Sequence, residues 1–403
     1  MPWKEMSPKM QKVAFLAAWR ENTESMTELC RRFEISRKTG YSLVARWRAE
    51  EEGALVERSR APRSCPHATP SAVREAVLAL RRERPTWGPA KLRAWLMRKG
   101  PEQHWPAVST IAVILSREGL VEESRGMRRR CCPVAAEPPL GPNDVWCVDY
   151  KGWFRTGDGT RCDPLTATDS FSRRIMCCVA LTPPIATRQV KSIFADLFRE
   201  RGMPLVIKSD NGSPFGATGL GLTQLSAWWI RLGISPRRIA PGKPQQNGAH
   251  ERMHRVLKAE TTRPRPAGSL VGQQHRFDEF VRVYNTERPH EALAMATPDS
   301  LYVLSPRPYP ETTPAPEYDS DAVIRRVSSA GMVKWRKQQY YLSSALAGAD
   351  VQLVSHEEEP MLSVIYYREL VGRIDLANRR VLGPDPGALP RTPGFTALKP
   401  NGD

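Results

Sequence analysis

Apolar residues recur at three- and four-residue steps through the first third of the chain, and at shorter, strand-like intervals after it. In SMTELCRRFEISRKTGYSLVARWRAE the series Met26, Leu29, Phe33 and then Tyr41, Val44, Trp47 draws two short amphipathic helices joined by a tight turn. Ser36 stands where the second helix needs a cap. The pattern is helix-turn-helix, which sets the second helix in a DNA major groove and gives Arg37 and Lys38 the contacts. SAVREAVLALRRERP, WGPAKLRAWLMRKG and AVSTIAVILSREGLV repeat the arrangement, with Ser109 or Thr110 as the cap of the last helix. After residue 144 the period changes. VWCVDYKGWF, RIMCCVAL and PLVIKSD read as strands, and four helical stretches follow: ATRQVKSIFADLFRERG, LTQLSAWWIRLG, QQNGAHERMHRVLKAE and GQQHRFDEFVRVYNTER. Strands first, then strands alternating with helices, predict a mixed sheet with helices on its faces. The last region, from AVIRRVSSAGM to YRELVGRIDL, is strand-like with evenly spaced turns, as in a small β-barrel.

Proline marks the joints. The chain has 36 in 403 residues, clustered in CCPVAAEPPLGPND, TRPRPAG, SPRPYPETTPAPEYD and the tail. The division is a helix-turn-helix domain over 1–56, a basic linker over 57–70 and a second helix-turn-helix domain over 71–130. A linker over 131–143 leads to an α/β core over 144–304. A proline-rich linker over 305–320, a small SH3-like barrel over 321–383 and a loose tail over 384–403 complete it. Arg58, Arg60 and Arg63 in the basic linker suit an arm along a groove or a plain connection.

Charge narrows the partners. Lys and Arg number 60 against 43 Asp and Glu, a formal net charge of +17. Residues 1–142 hold 26 basic and 16 acidic side chains, residues 143–304 hold 22 and 15, and the remainder 12 and 12. A polyanion is the natural partner of the first three quarters, because phosphates neutralised by Lys and Arg release condensed counterions. At 40% hydrophobic and 26% charged, the composition is that of a globular protein. No apolar run is long enough to span a bilayer and the first residues lack a signal peptide's apolar segment, so no membrane partner and a cytoplasmic, nucleoid-associated address are expected. Eight cysteines without metal-type spacing read as reduced thiols.

Candidate chemistry lies in the core. Asp149 sits mid-strand in VWCVDYKG, where a buried carboxylate needs a cation or base beside it. Asp210 closes PLVIKSD, at the carboxyl edge of a strand where α/β proteins gather ligands. Residues 211–250 contain no Asp or Glu, as if the surface avoided repelling an anion, and then Glu251 appears on a helix with Arg255 and Lys258 four and seven positions on. Lys243 precedes that helix, and His254 follows Glu251 by one turn, placed for DNA contact or to cap a metal site. No HExxH is present, which sets aside a zinc hydrolase.

The segments WCVDYKGWF, SDNGSPF, GKPQQNGAHERMHRVLK and YNTERPHEALAMATPDSLY resemble the catalytic core of DDE-type insertion-sequence transposases. That family is similar in turn to retroviral integrases and has an RNase H-like fold with a five-stranded mixed sheet. The resemblance implies an acidic triad at Asp149, Asp210 and Glu251, though the 40 residues between the last two exceed the family's usual spacing and leave Glu260 as a rival. It also implies two Mg²⁺ ions, with Mn²⁺ able to substitute: Asp149 bridges both, and Asp210 and Glu251 complete one site each. The activity implied is hydrolysis at the inverted repeats of an element's ends and joining of the 3′ hydroxyls to target DNA. The partner is double-stranded DNA, and a homodimer or larger assembly holds two ends. The near-neutral barrel is expected to bridge DNA or subunits. A catalytically inactive DNA-binding regulator and an RNase H-like nuclease stay open as alternatives.

Overall fold

The computed structural model describes residues 8–56, 68–121, 139–209, 219–239, 247–356 and 360–383. The chain divides into two compact units, residues 1–69 and 70–403. In the first, α1 (Pro8–Glu21), α2 (Met26–Arg32) and α3 (Arg37–Glu50) close around Phe15, Leu16, Leu29, Cys30, Leu43 and Val44. Ser25 and Glu28 form a capping box at α2, and Ser36 Oγ accepts the Thr39 amide at 3.1 Å to start α3. Gly40 is required where α3 crosses α2, since a Cβ there would lie 2.6 Å from Cys30 Sγ. Tyr41, read as part of the apolar series, points outward at 59% exposure.

The second unit opens with α4 (Ser71–Glu83), α5 (Pro89–Lys99) and α6 (Val108–Arg117). α6 starts at an Ala107 cap without a side-chain bond, so Ser109 and Thr110 fall inside its first turn and neither caps it. Next come β1 (Val145–Tyr150), β2 (Phe154–Arg155), β3 (Arg161–Asp169), β4 (Ile175–Leu181), α7 (Thr187–Arg201), β5 (Val206–Ser209), α8 (Gln224–Arg231) and β6 (Ser235–Arg238). α9 (Gly248–Thr261), α10 (Leu270–Thr286) and the short α11 (Pro298–Leu301) complete the core.

Its sheet is mixed. β1 pairs antiparallel with β3 and β3 with β4, while β5 runs parallel to β1 and β6 to β5, giving the order β4-β3-β1-β5-β6; β2 adds a two-residue pairing to β3. Strand alternation sends Trp146, Val148, Leu165 and Ala167 to one face, where Phe194 and Phe198 of α7 and Trp229 of α8 cover them. The opposite face carries Cys162 and Cys178 under Met253 and Leu257 of α9 and Phe277 of α10. α10 is fastened by Asn285, whose amide oxygen accepts from Ile175 N and whose amide nitrogen donates to Ile175 O, both at 2.9 Å.

The α4–α6 block packs on the end of α10. Val283 joins the cluster of Val77, Leu78, Trp87, Leu92 and Ile111, and Arg84 reaches Glu287 at 2.9 Å. Glu260 accepts Arg288 at 2.7 Å and also the Thr86 hydroxyl. That pairing gives Glu260 a structural role and removes it as a rival for the acidic set.

The last region contains β7 (Val323–Arg326), β8 (Met332–Trp335), β9 (Gln338–Tyr341), β10 (Asp350–Ser355), β11 (Met361–Tyr366), β12 (Glu369–Asp375) and β13 (Arg380–Leu382). They form an antiparallel sheet in the order β13-β12-β11-β10-β7 and a β8-β9 hairpin, without a closed hydrogen-bonded barrel among the described residues. The region shares its core with Leu220, Leu222, Ala227 and Ile230. Leu220 N donates to Leu342 O at 2.9 Å and Arg231 Nε to the Tyr366 hydroxyl at 2.6 Å. The proline-rich stretch lies along the core: Arg307 donates to the carbonyls of Pro204 and Gly233, and Tyr309 packs 6.2 Å from the Phe198 ring. No helix among the described residues is long and apolar enough to cross a membrane.

Candidate active site

Asp149 reaches its place through strand register. It lies opposite Thr166 on β3, so both side chains, and Thr168 two residues on, project from the sheet face that α9 covers. α9 answers with His250 and His254, which share one helix face at i and i+4. Both rings are buried, at 2% and 8% exposure, with centroids 4.5 Å apart.

The polar atoms interlock. Thr166 Oγ1 lies 3.0 Å from the Asp149 carbonyl oxygen, 2.8 Å from His250 Nε2 and 2.7 Å from His254 Nε2. Thr168 Oγ1 lies 2.7 Å from His250 Nδ1. His254 Nδ1 faces Asp149 Oδ2 at 4.0 Å, and the Asp149 side chain keeps 20% of its exposure. Burial, with Lys151 beside it, pushes His254 down to about 3, and burial and its imidazole neighbour hold His250 well below the usual histidine range. Both rings are therefore neutral at physiological pH, so the contact of His254 with Asp149 is not an ion pair.

Beside Asp149, Lys151 and Lys258 line a cavity of about 260 Å³ with Trp153, Phe154 and Pro164. Burial, then the charge on Lys258, hold the Lys151 amine below its usual range, with Asp149 pulling the other way. Two ammonium groups in one recess favour an anion between them.

The structure brings Asp149 and His254 together and leaves Glu251, Arg255 and Lys258 exposed along α9. His254, expected to contact DNA or to cap a metal site, is buried with its ring bonded to Thr166 and set against Asp149. Arg37 and Lys38 are exposed at the start of α3, in the other unit. Asp210, Lys243, Arg58, Arg60 and Arg63 lie outside the described residues. Ser209, the residue before Asp210, pairs with Val148, the residue before Asp149.

Sequence reasoning missed Thr166, Thr168, His250 and Lys151. The signal available was a pair of threonines two apart in a strand and a pair of histidines four apart in a helix. Two other acids of the core, Asp163 and Asp169, hold structural contacts. Asp163 pairs with Arg161, and buried Asp169 accepts from Asn143 N at 2.8 Å and from Ser172 N at 2.7 Å.

A divalent cation fits this donor set. The ligand atoms of Asp149, His250 and His254 all lie within 4.8 Å of one another, and one of them is a partly exposed carboxylate. His250 contributes least, because both of its ring nitrogens are already hydrogen-bonded.

Comparison with known families gives an integrase core domain over residues 139–244 and a second integrase core domain match over 232–298. A helix-turn-helix domain matches 11–63 and a homeodomain-like domain 39–115. Among solved structures, the HTLV-2 integrase catalytic core domain in complex with magnesium is similar at 15% identity, over 41% of this chain and 99% of that one, with a TM-score of 0.32. The simian T-cell lymphotropic virus intasome in complex with PP2A regulatory subunit B56 gamma matches at 14% identity over 72% and 91%, with a TM-score of 0.35. The catalytic core domain of BIV integrase matches at 22% identity over 40% and 93%, with a TM-score of 0.29.

Proposed function

We propose that this chain, a polynucleotidyl transferase of the transposase and integrase type by its integrase core and helix-turn-helix domains, cuts the ends of an insertion sequence and joins them to target DNA. The observation that carries the reading is Asp149: a carboxylate on a central strand, a fifth exposed, beside two lysines that favour an anion. In this reading Asp149, Asp210 and Glu251 hold two Mg²⁺ ions. Those ions, when bound, activate the attacking hydroxyl and stabilise the leaving oxygen of an in-line displacement.

The chain's own residues bind and orient. Lys151 and Lys258 take the phosphodiester in their shared recess, and Arg255 extends the positive track along the exposed side of α9. Thr166 fixes the carboxylate's strand through the Asp149 carbonyl and fixes the facing imidazoles through its oxygen. The helix-turn-helix unit reads the inverted repeats, with Arg37 and Lys38 leading α3. Arg58, Arg60, Arg63 and Lys243 add backbone contacts. Two ends must be held at once, so the working form is a dimer or larger assembly on DNA.

The test is substrate choice. Full-length protein with Mg²⁺ is offered a labelled duplex ending in the element's inverted repeat, a scrambled duplex and an RNA–DNA hybrid. Nicking at the repeat's end, followed by joining to a second duplex, is the expected result. Cleavage of the hybrid alone contradicts the reading and makes the protein an RNase H-like nuclease.

A further inference from the structure

The Nδ1 of His254 faces the carboxylate of Asp149, while its Nε2 is engaged by Thr166. A threonine hydroxyl carries one proton. The Asp149 carbonyl oxygen can only accept, so at 3.0 Å it takes the Thr166 proton. The two imidazole contacts to Thr166 Oγ1, at 2.8 and 2.7 Å, must then be donated by His250 Nε2 and His254 Nε2. With Nε2 of each ring engaged by Thr166, Nδ1 is the nitrogen left to accept or to ligate. Thr168 Oγ1 serves that of His250 at 2.7 Å. For His254 the facing group is Asp149 Oδ2 at 4.0 Å, another acceptor, beyond hydrogen-bond reach.

We infer that His254 Nδ1 is a metal ligand beside Asp149, giving a mixed nitrogen and oxygen site that favours Mn²⁺ over Mg²⁺ more than an all-oxygen triad would. The inference rests on the metal-dependent reading above and adds a ligand to it. A separation of 4.0 Å lies within the span of two donors on opposite sides of one cation at bond lengths of about 2.0–2.2 Å. A ligating histidine is oriented by a hydrogen bond from its other nitrogen, and Thr166 supplies one. His250, edge-on to His254 with both nitrogens engaged, is a positioning residue. Imidazole suits borderline transition metals, whereas Mg²⁺ takes oxygen ligands and keeps its waters. The sequence reading of an oxygen-only pocket for Mg²⁺ is thereby modified.

The experiment is pulsed electron paramagnetic resonance on full-length protein loaded with Mn²⁺ in the absence of DNA. The expected result is ¹⁴N modulation of the bound Mn²⁺ that converts to ¹⁵N modulation when histidine is ¹⁵N-labelled and disappears in His254→Gln. In parallel, His254→Gln should weaken Mn²⁺ binding about tenfold or more, with Mg²⁺ changed by less than about threefold. Bound Mn²⁺ without nitrogen coupling in the unmodified protein overturns the inference and leaves the acidic metal site standing. No bound Mn²⁺ at all overturns both. The unmodified, labelled protein decides the matter even if His254→Gln does not fold.

Discussion

Replacing Thr166 with Val removes one oxygen, keeps the side chain's shape and takes the acceptor away from two buried imidazole N–H groups. Thr166 is fully buried, and its hydroxyl makes three contacts, to the Asp149 carbonyl, His250 and His254. Each of the two stranded donors costs about 1–3 kcal/mol, and the lost bond to the carbonyl about 1 more, so Thr166→Val should destabilise the core by roughly 3–7 kcal/mol. Thr166→Ser keeps the hydroxyl and loses a methyl, for about 1 kcal/mol. For a domain of this size, 1 kcal/mol moves the midpoint by roughly 2–4 °C, which places the Val variant about 4–24 °C below the Ser variant. Thermal unfolding followed by tryptophan fluorescence reads this, since Trp146 is buried on the strand that carries Asp149. A Val variant as stable as the Ser variant would refute the reasoning, because the imidazoles would then have other partners.

Three further outcomes are expected. Burial, aided by the charges of Arg288 and Lys91, pushes His290 down to about 4, so between about pH 6.5 and 4 the unfolded chain binds a proton that the folded chain does not. Stability should fall as pH drops through that window, by up to about 3 kcal/mol from this residue; urea midpoints at pH 7.5 and 5 should lie closer together in His290→Phe than in the unmodified protein. Arg288→Met strands the Glu260 carboxylate with Thr86 alone, at about 3–5 kcal/mol, and should raise hydrogen exchange in α4–α6. The double change Arg288→Met with Glu260→Met should recover part of that loss, and equal exchange in single and double variants would rule out the coupling. Gly219 has φ +68° and an added Cβ would meet the Leu342 carbonyl at 2.3 Å, so Gly219→Ala should loosen the seat of the carboxy-terminal sheets by about 1–3 kcal/mol, read as faster proteolysis there.

Much of the framework was legible because its signals are local. The 3.6-residue periods of α7, α8, α9 and α10, the Ser36 cap and the β-branched run around Asp149 each announce themselves within a dozen residues. What was not legible depends on pairing between distant segments. Thr166 and Thr168 look like ordinary polar strand residues until β1–β3 register sets one opposite Asp149 and α9 lays His250 and His254 over both. Glu260 reads as a rival for the acidic set, and only the docking of α4–α6 on α10 pairs it with Arg288 and Thr86. Tyr41 satisfied the apolar period yet faces outward, since a period assigns a face and not what covers it.

Asp149 is the residue on which the catalytic account stands. Asp149→Asn keeps the side chain's volume and removes its charge, so the protein should bind a pre-nicked inverted-repeat end as tightly as before. With Mg²⁺ present, joining of that end to target DNA should fall by at least about a thousandfold, in line with the loss of a principal source of transition-state charge stabilisation. Strand transfer at the unmodified rate by the Asn variant would contradict the account.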